Sequence, residues 1–139
     1  MKPQEGMVLW VELGKRLPPG HEQEGRRPAL PVGVPSRLGK PCFPVLLVAP
    51  VTTSRGQPWA EVAPRLYPRL KAAAGNSPRE SVVLLDQLQV VDADTVAMVV
   101  GQLNESEYAP VRDGLKVMFE ISSEGSLWNY GDLEVFLAQ

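Results

Sequence analysis

Fourteen prolines run through this 139-residue chain, about twice the usual share of roughly 5%. Proline has no backbone N–H to give to a helix or a ladder, and its ring crowds the preceding turn of a helix. It is poorly tolerated in helix interiors and central strands. That density weighs against a helical bundle and favours a small, loop-rich β structure. The length suits one domain with one modest core. With 44% apolar and 22% charged residues, the composition is that of a folded globular chain and not of a disordered one.

No apolar run approaches the roughly 18 residues of a membrane span, and Met1-Lys2-Pro3-Gln4-Glu5 has no stretch resembling a signal peptide. The expectation is a cytoplasmic protein with no membrane association. The single cysteine, Cys42, and single histidine, His21, exclude an intrachain disulfide, a thiolate zinc site and any one-chain mechanism that needs two imidazoles. The expectation is no metal and no cofactor. Charge is unevenly spread. Residues 1–80 carry 12 Lys and Arg against 6 Asp and Glu, whereas residues 81–139 carry 2 against 10. A basic first part suits an anionic ligand, and an acidic second part suits solvent or a basic partner. Two solvated surfaces would give the same count.

Met7 to Leu13, bounded by Gly6 and Gly14, reads as a strand. Lys15 to Gly25 is a loop. Arg27 to Val34 is a second strand, in which Pro31 calls for an edge or a bulge. Phe43 to Ala49 is continuously apolar and reads as a buried strand, with Cys42 as an apolar residue at its edge and a loop from Pro50 to Pro58. Trp59 to Val62 has the look of a short strand. Arg65 to Ala74 has helical composition broken by Pro64 and Pro68 and stopped at Gly75. Ser81 to Leu85, Leu88 to Val91 and Thr95 to Gln102 read as strands. Asn104 and Glu107 then form a capping-box signature, and Tyr108, Val111, Leu115, Met118 and Phe119 recur every three or four residues. A helix over about 104–120 follows. Residues 122–139 form a tail with Glu124, Asp132, Glu134, Trp128, Tyr130 and Phe136, and no base. Leu133, Val135 and Leu137 alternate as in a half-buried strand. Five or six strands and one late helix predict a small, strongly bent antiparallel barrel over residues 1–121.

Two segments concentrate groups that can do chemistry. His21-Glu22-Gln23-Glu24-Gly25-Arg26-Arg27 lies between two apolar strands. Paired arginines beside a glutamate can hold a phosphate and place a carboxylate near a hydroxyl, although a solvated, salt-bridged loop has the same composition. Thr52-Thr53-Ser54-Arg55 follows the third strand and can hold a phosphodiester or merely cap a turn.

Taken together, four features in order resemble the MazF/PemK/Kid toxins of toxin–antitoxin modules. They are Gly6-x-x-x-Trp10-Val11, the loop Gly20-His21-Glu22-Gln23-x-Gly25-x-Arg27-Pro28-Ala29, the Pro50-x-Thr52-Thr53 motif, and Leu85-Asp86-Gln87-Leu88 followed by a helix. The resemblance covers about residues 5–121. It implies an SH3-like or CcdB-like barrel with a C-terminal helix, a homodimer, and a metal-independent endoribonuclease that cuts single-stranded mRNA at chosen sequences. It also implies a cognate antitoxin as partner, and DNA binding jointly with it. The resemblance assigns catalysis to Arg27, Thr52 and Glu22, and RNA contacts to His21, Gln23, Arg26, Thr53, Arg55, Asp86 and Gln87. In such a reaction the RNA's own 2′-OH is the nucleophile. Arg27 would hold charge developing on the phosphorane, Glu22 would act as general base and Thr52 would fix a phosphate oxygen. The products would carry a 2′,3′-cyclic phosphate and a 5′-OH. Departures from the family pattern are Pro31, the long proline-rich stretch 59–80, and the 122–139 tail, whose acidic aromatic residues resemble an antitoxin peptide. The alternatives are a CcdB-like poison of a protein target such as gyrase, and a catalytically silent SH3-like interaction module. Arg27, Thr52 and the loop favour the nuclease, because a protein poison has no need of a phosphate site.

Overall fold

The computed structural model describes residues 2–14 and 25–121. Seven strands and two helices follow one another: β1 (Met7–Glu12), β2 (Arg26–Gly33), β3 (Val45–Thr53), α1 (Pro58–Glu61), β4 (Arg69–Leu70), β5 (Ser81–Val83), β6 (Gln89–Asp92), β7 (Val96–Gln102) and α2 (Glu105–Met118). The strands make one antiparallel sheet in the order β4-β5-β3-β2-β1-β7, with β6 also pairing β3, curled into a half-barrel with the helix at the C-terminal end. The expected β fold with a late helix is what forms. The expected tail lies outside the described residues.

Prolines sit where the ladder has gaps. Pro31 precedes a register shift between itself and Gly33, the bulge its missing N–H demands. However, β2 is an inner strand and not an edge. The third strand does not stop at Ala49; it runs through Pro50 to Thr53. Val45 to Val48 pair β6, and Val51 to Thr53 pair β5, so Pro50 falls where β3 changes partner. Its carbonyl accepts from Leu84 N–H at 2.9 Å. In an extended strand the N and the C=O of one residue point to the same side, so the missing donor faces that changeover. At the other end β3 begins later than expected. Pro44 delays it to Val45, leaving Cys42 and Phe43 exposed in a bend.

The stretch from 58 to 80 departs most from expectation. Trp59 to Val62 is not a strand. Pro58 opens α1 at its first turn, and Ala60 and Glu61 donate to the Gln57 carbonyl, the position where proline is at ease in a helix. Arg69 and Leu70 are not helical but form β4 against β5. Positive φ at Ala73, Gly75 and Asn76 then turns the chain back. That turn meets β7 closely. A methyl on Gly101 would run into the Gly75 carbonyl, and one on Gly75 would meet the Val8 side chain at 2.6 Å.

Apolar side chains collect in three clusters. Val8, Leu30, Ala49, Val51 and Val83 pack with Tyr108 and Val111 of α2. Leu9, Val11, Ala29, Leu46, Val48 and Val91 pack on the other face of the sheet. Ala60, Val82 and Leu84 join under α1. Complete burial of Val111 contributes about 1.5–3 kcal/mol. The capping box forms as expected: Asn104 Oδ1 accepts from Glu107 N–H at 2.9 Å, and Glu107 Oε1 accepts from Asn104 N–H at 2.8 Å. The apolar face of α2 is only half used. Gly114 brings the helix against Leu85 and the Arg65 carbonyl. Past it Met118 and Phe119, expected in the core, are exposed, as are Val117 and Ile121. Val117 and Met118 line an open apolar hollow of about 210 Å³ with Leu66 and Leu85.

Candidate RNA-cleavage site

Register builds the site. Ala29 pairs with Pro50 and Leu30 with Ala49, so two positions further along the same antiparallel frame Arg27 stands opposite Thr52. Directly opposed residues share a face of the sheet. Arg27 is also opposite Val11 of β1, and Thr52 is opposite Val82 of β5. The row across four strands is therefore Val11, Arg27, Thr52, Val82. Its face is the one on which Ala29, Val11 and Val48 pack. Arg27 is exposed and Thr52 half-buried, both at the margin of that apolar cluster.

Around this pair the sequence-predicted residues separate. Arg26 points to the other face, as alternation requires, and lies 3.7 Å from the Glu12 carboxylate. Thr53 likewise faces away from Thr52, and its carbonyl accepts from Gln57 Nε2 at 3.0 Å. Arg55 is exposed just beyond the strand, its N–H donating to Gln57 Oε1 at 2.8 Å. Asp86 and Gln87 occupy a 3-10 turn, Leu85–Gln87, on the opposite side of β3 from β2. Asp86 Oδ2 accepts from the Tyr67 hydroxyl at 2.6 Å, which with burial holds the phenol up at about 12. Sequence reasoning missed Tyr67, whose partner lies 19 residues away across an excursion of the chain.

Glu22, His21 and Gln23 lie outside the described residues. The neck of their loop is described. Leu13 N–H donates to the Gly25 carbonyl and Gly25 N–H to the Gly14 carbonyl, each at 2.9 Å. The loop therefore leaves and returns at one point, two residues before Arg27. No group of three or more His, Cys, Asp or Glu positioned to hold a metal occurs among the described residues. No described helix is long and apolar enough to cross a membrane.

A second charged cluster lies at the start of α2. Arg112 bridges Glu5, at 3.2 Å, and Glu105, with its guanidinium 5.3 Å from the centre of the Tyr108 ring. The hydrogen bond from Arg112 lowers the Glu105 carboxyl below its ordinary range. This cluster ties the N-terminus to the helix.

Comparison with known proteins bears on the fold and the family. The crystal structure of MazF (form I) from Deinococcus radiodurans matches with a TM-score of 0.63 and 25% identity, over 86% of this chain and 97% of that one. MazE-MazF (form II) from the same organism matches with a TM-score of 0.60 and 26% identity, over 86% and 97%. An endoribonuclease in complex with its cognate antitoxin from a mycobacterial species shares the fold, with a TM-score of 0.61 at 16% identity over 87% and 98%. Curated proteins give no match. The family model described as PemK-like, MazF-like toxin of type II toxin–antitoxin system matches residues 4–119. With its half-barrel, its late capped helix and that match along most of its length, the chain belongs to the PemK-like, MazF-like toxin family.

Proposed function

We propose that this toxin is a sequence-specific endoribonuclease that cuts single-stranded mRNA without a metal. The single observation that carries the reading is the β2–β3 register, which, extended two residues past Ala29–Pro50, sets Arg27 opposite Thr52. A phosphodiester laid over the pair meets a permanent positive charge and a hydroxyl donor. A guanidinium offers only donors and no acceptor, so Arg27 stabilises the dianionic phosphorane and does not act as a base. Thr52 fixes a phosphate oxygen and holds the RNA 2′-OH in line with the leaving 5′ oxygen. Glu22, on the loop whose neck lies beside Arg27, takes the 2′-OH proton. The bond from the 2′ oxygen to phosphorus forms as the bond to the 5′ oxygen breaks, and the departing 5′ oxygen takes a proton from solvent water. The products are a 2′,3′-cyclic phosphate and a 5′-OH. His21, Gln23, Arg55, Asp86 and Gln87 extend the RNA contacts beyond this pair, whereas Arg26 and Thr53, on the other face of the sheet, take no part in holding this phosphate.

Residues 1–121 carry this activity as one domain, with 122–139 as an appended tail. The toxin works as a homodimer in the cytoplasm and is silenced by a cognate antitoxin protein. Pairing is supported by the exposed apolar end of α2, Val117 to Ile121, because exposed apolar clusters of this kind mark association surfaces. Antitoxin binding is supported by the fold match to the MazE-MazF complex.

Incubating the protein with single-stranded RNA and mapping the ends tests the reading. Cleavage leaving cyclic phosphate ends, abolished in Arg27→Ala, is expected. Absence of cleavage by the wild-type chain, or full activity in folded Arg27→Ala, would refute it.

A further inference from the structure

A tryptophan stands exposed on α1, which packs on the strand next to Thr52, and nothing in the chemistry above uses it. Trp59 is the second residue of α1 and remains 46% exposed, a large apolar surface left in water. The next residue, Ala60, is buried in a cluster with Val82 and Leu84. Val82 is the β5 residue directly opposite Thr52. So α1 caps the same face of the sheet that carries Arg27 and Thr52, one strand beyond them. The end of β3 lies between Arg27 and α1. Arg27 lies on its β2 side, and α1 lies on its β5 side.

Trp59 is held in place. Its ring lies 4.9 Å from that of Tyr67, with the planes at 74°, an edge-to-face arrangement favoured by aromatic quadrupoles. Tyr67 is itself partly buried against the Val82 cluster and tied through its hydroxyl to Asp86. Gln57, the residue before α1, anchors the other end by donating to the Thr53 carbonyl. A pre-set indole loses little freedom when a flat ligand covers it.

We propose that Trp59 is a base-stacking residue. It receives the nucleobase next to the phosphate held at Arg27 and Thr52, and it thereby sets the grip on single-stranded RNA. The inference rests on the endoribonuclease reading. It adds a ring platform to a site otherwise built from charge and hydroxyls, the combination that single-strand binders use. Stacking tolerates every base, so Trp59 contributes mainly to affinity, with a bias toward purines, which stack over a larger area.

The experiment compares wild type, Trp59→Ala and Trp59→Phe for cleavage of single-stranded RNA. It adds tryptophan fluorescence during titration with a mixed-sequence 2′-O-methyl oligonucleotide, which cannot be cleaved. Trp59→Ala is expected to raise KM by roughly 5- to 100-fold, the effect of losing one stacked base, with kcat changed far less. Trp59→Phe recovers most of the loss, because a ring remains. The oligonucleotide quenches wild-type fluorescence, and the Trp59→Phe protein loses most of that quenching. An unchanged KM in Trp59→Ala, or equal quenching in wild type and Trp59→Phe, overturns the proposal while Arg27-dependent cleavage stands. A fall in kcat with unchanged KM, uncorrected by phenylalanine, shows a structural role and overturns it too. Wild type that neither cleaves nor binds RNA removes the endoribonuclease reading, and this inference with it.

Discussion

Arg27 and Thr52 face each other from adjacent inner strands, in step with the Ala29–Pro50 pair two positions away. Each is held by a ladder on its outer side, Arg27 by β1 and Thr52 by β5. If they act on one phosphate, their contributions are not independent. Thr52→Ala alone is expected to lower turnover by about a hundredfold, the cost of one lost transition-state donor. The Arg27→Ala, Thr52→Ala double variant should fall well short of the product of the two single losses. Single-turnover cleavage rates for all four proteins test this, and strict multiplication would separate the two residues.

Cleavage should be unaffected by EDTA. In the proposed reaction the substrate supplies the nucleophile and a guanidinium meets the charge. Loss of activity in EDTA, restored by a divalent ion, would require a different chemistry.

The exposed end of α2 gives a prediction about assembly. Phe119 is 53% exposed and follows Val117 and Met118. Phe119→Asp places a charge in that apolar stretch and should shift sedimentation from dimer to monomer at micromolar concentration. A wild-type monomer, or an unaltered dimer in the variant, would place the contact elsewhere.

Alkaline stability follows from two phenols. Burial, with the Glu5 charge behind it, lifts Tyr108 to about 12, and burial with the Asp86 contact lifts Tyr67 to about 12. An unfolded tyrosine ionises near 10. The native chain holds these protons more tightly, so the stabilisation is complete below about pH 10 and is lost as pH rises toward 12. Thermal melts across this range should show a steep fall in Tm, shallower in Tyr108→Phe. A flat profile above pH 10 would contradict the burial of these groups.

Gly101→Ala should lower the Tm by roughly 3–15 °C, the range for about 1–3 kcal/mol of overpacking in a chain of this size. The added methyl meets backbone, which cannot rotate away as a side chain can. A Tm within a degree or so of wild type would show that the 71–77 turn moves freely.

The legible parts of the sequence were those governed by local rules. Asn104 and Glu107 specify their cap within four residues, and Tyr108 and Val111 specify the buried stripe by spacing alone. Arg27 and Thr52 were legible only as parts of a motif, because their opposition depends on pairing between strands 20 and more residues apart. Pro50 was misleading as a stop, since the neighbour that tolerates it is a change of partner on β3. Trp59 read as a strand residue because its aromatic character outweighed Pro58, which opens a helical turn instead. The end of α2 continued the apolar period of Tyr108 and Val111, yet a period records only which residues share a stripe, and the sheet covers just part of it.

Gly101 sits so close to the Gly75 backbone that it has no room for a side chain while the turn keeps its place. They belong to different parts of the chain, one to the turn that ends the 58–80 excursion and one to an edge strand. Their fates in descent are nonetheless joined. A lineage that replaces Gly101 must first move or shed the turn at 75, and one that reshapes the turn releases position 101 to accept any strand residue. Glycine at 101 is thus the mark that the 58–80 excursion leaves on the edge strand.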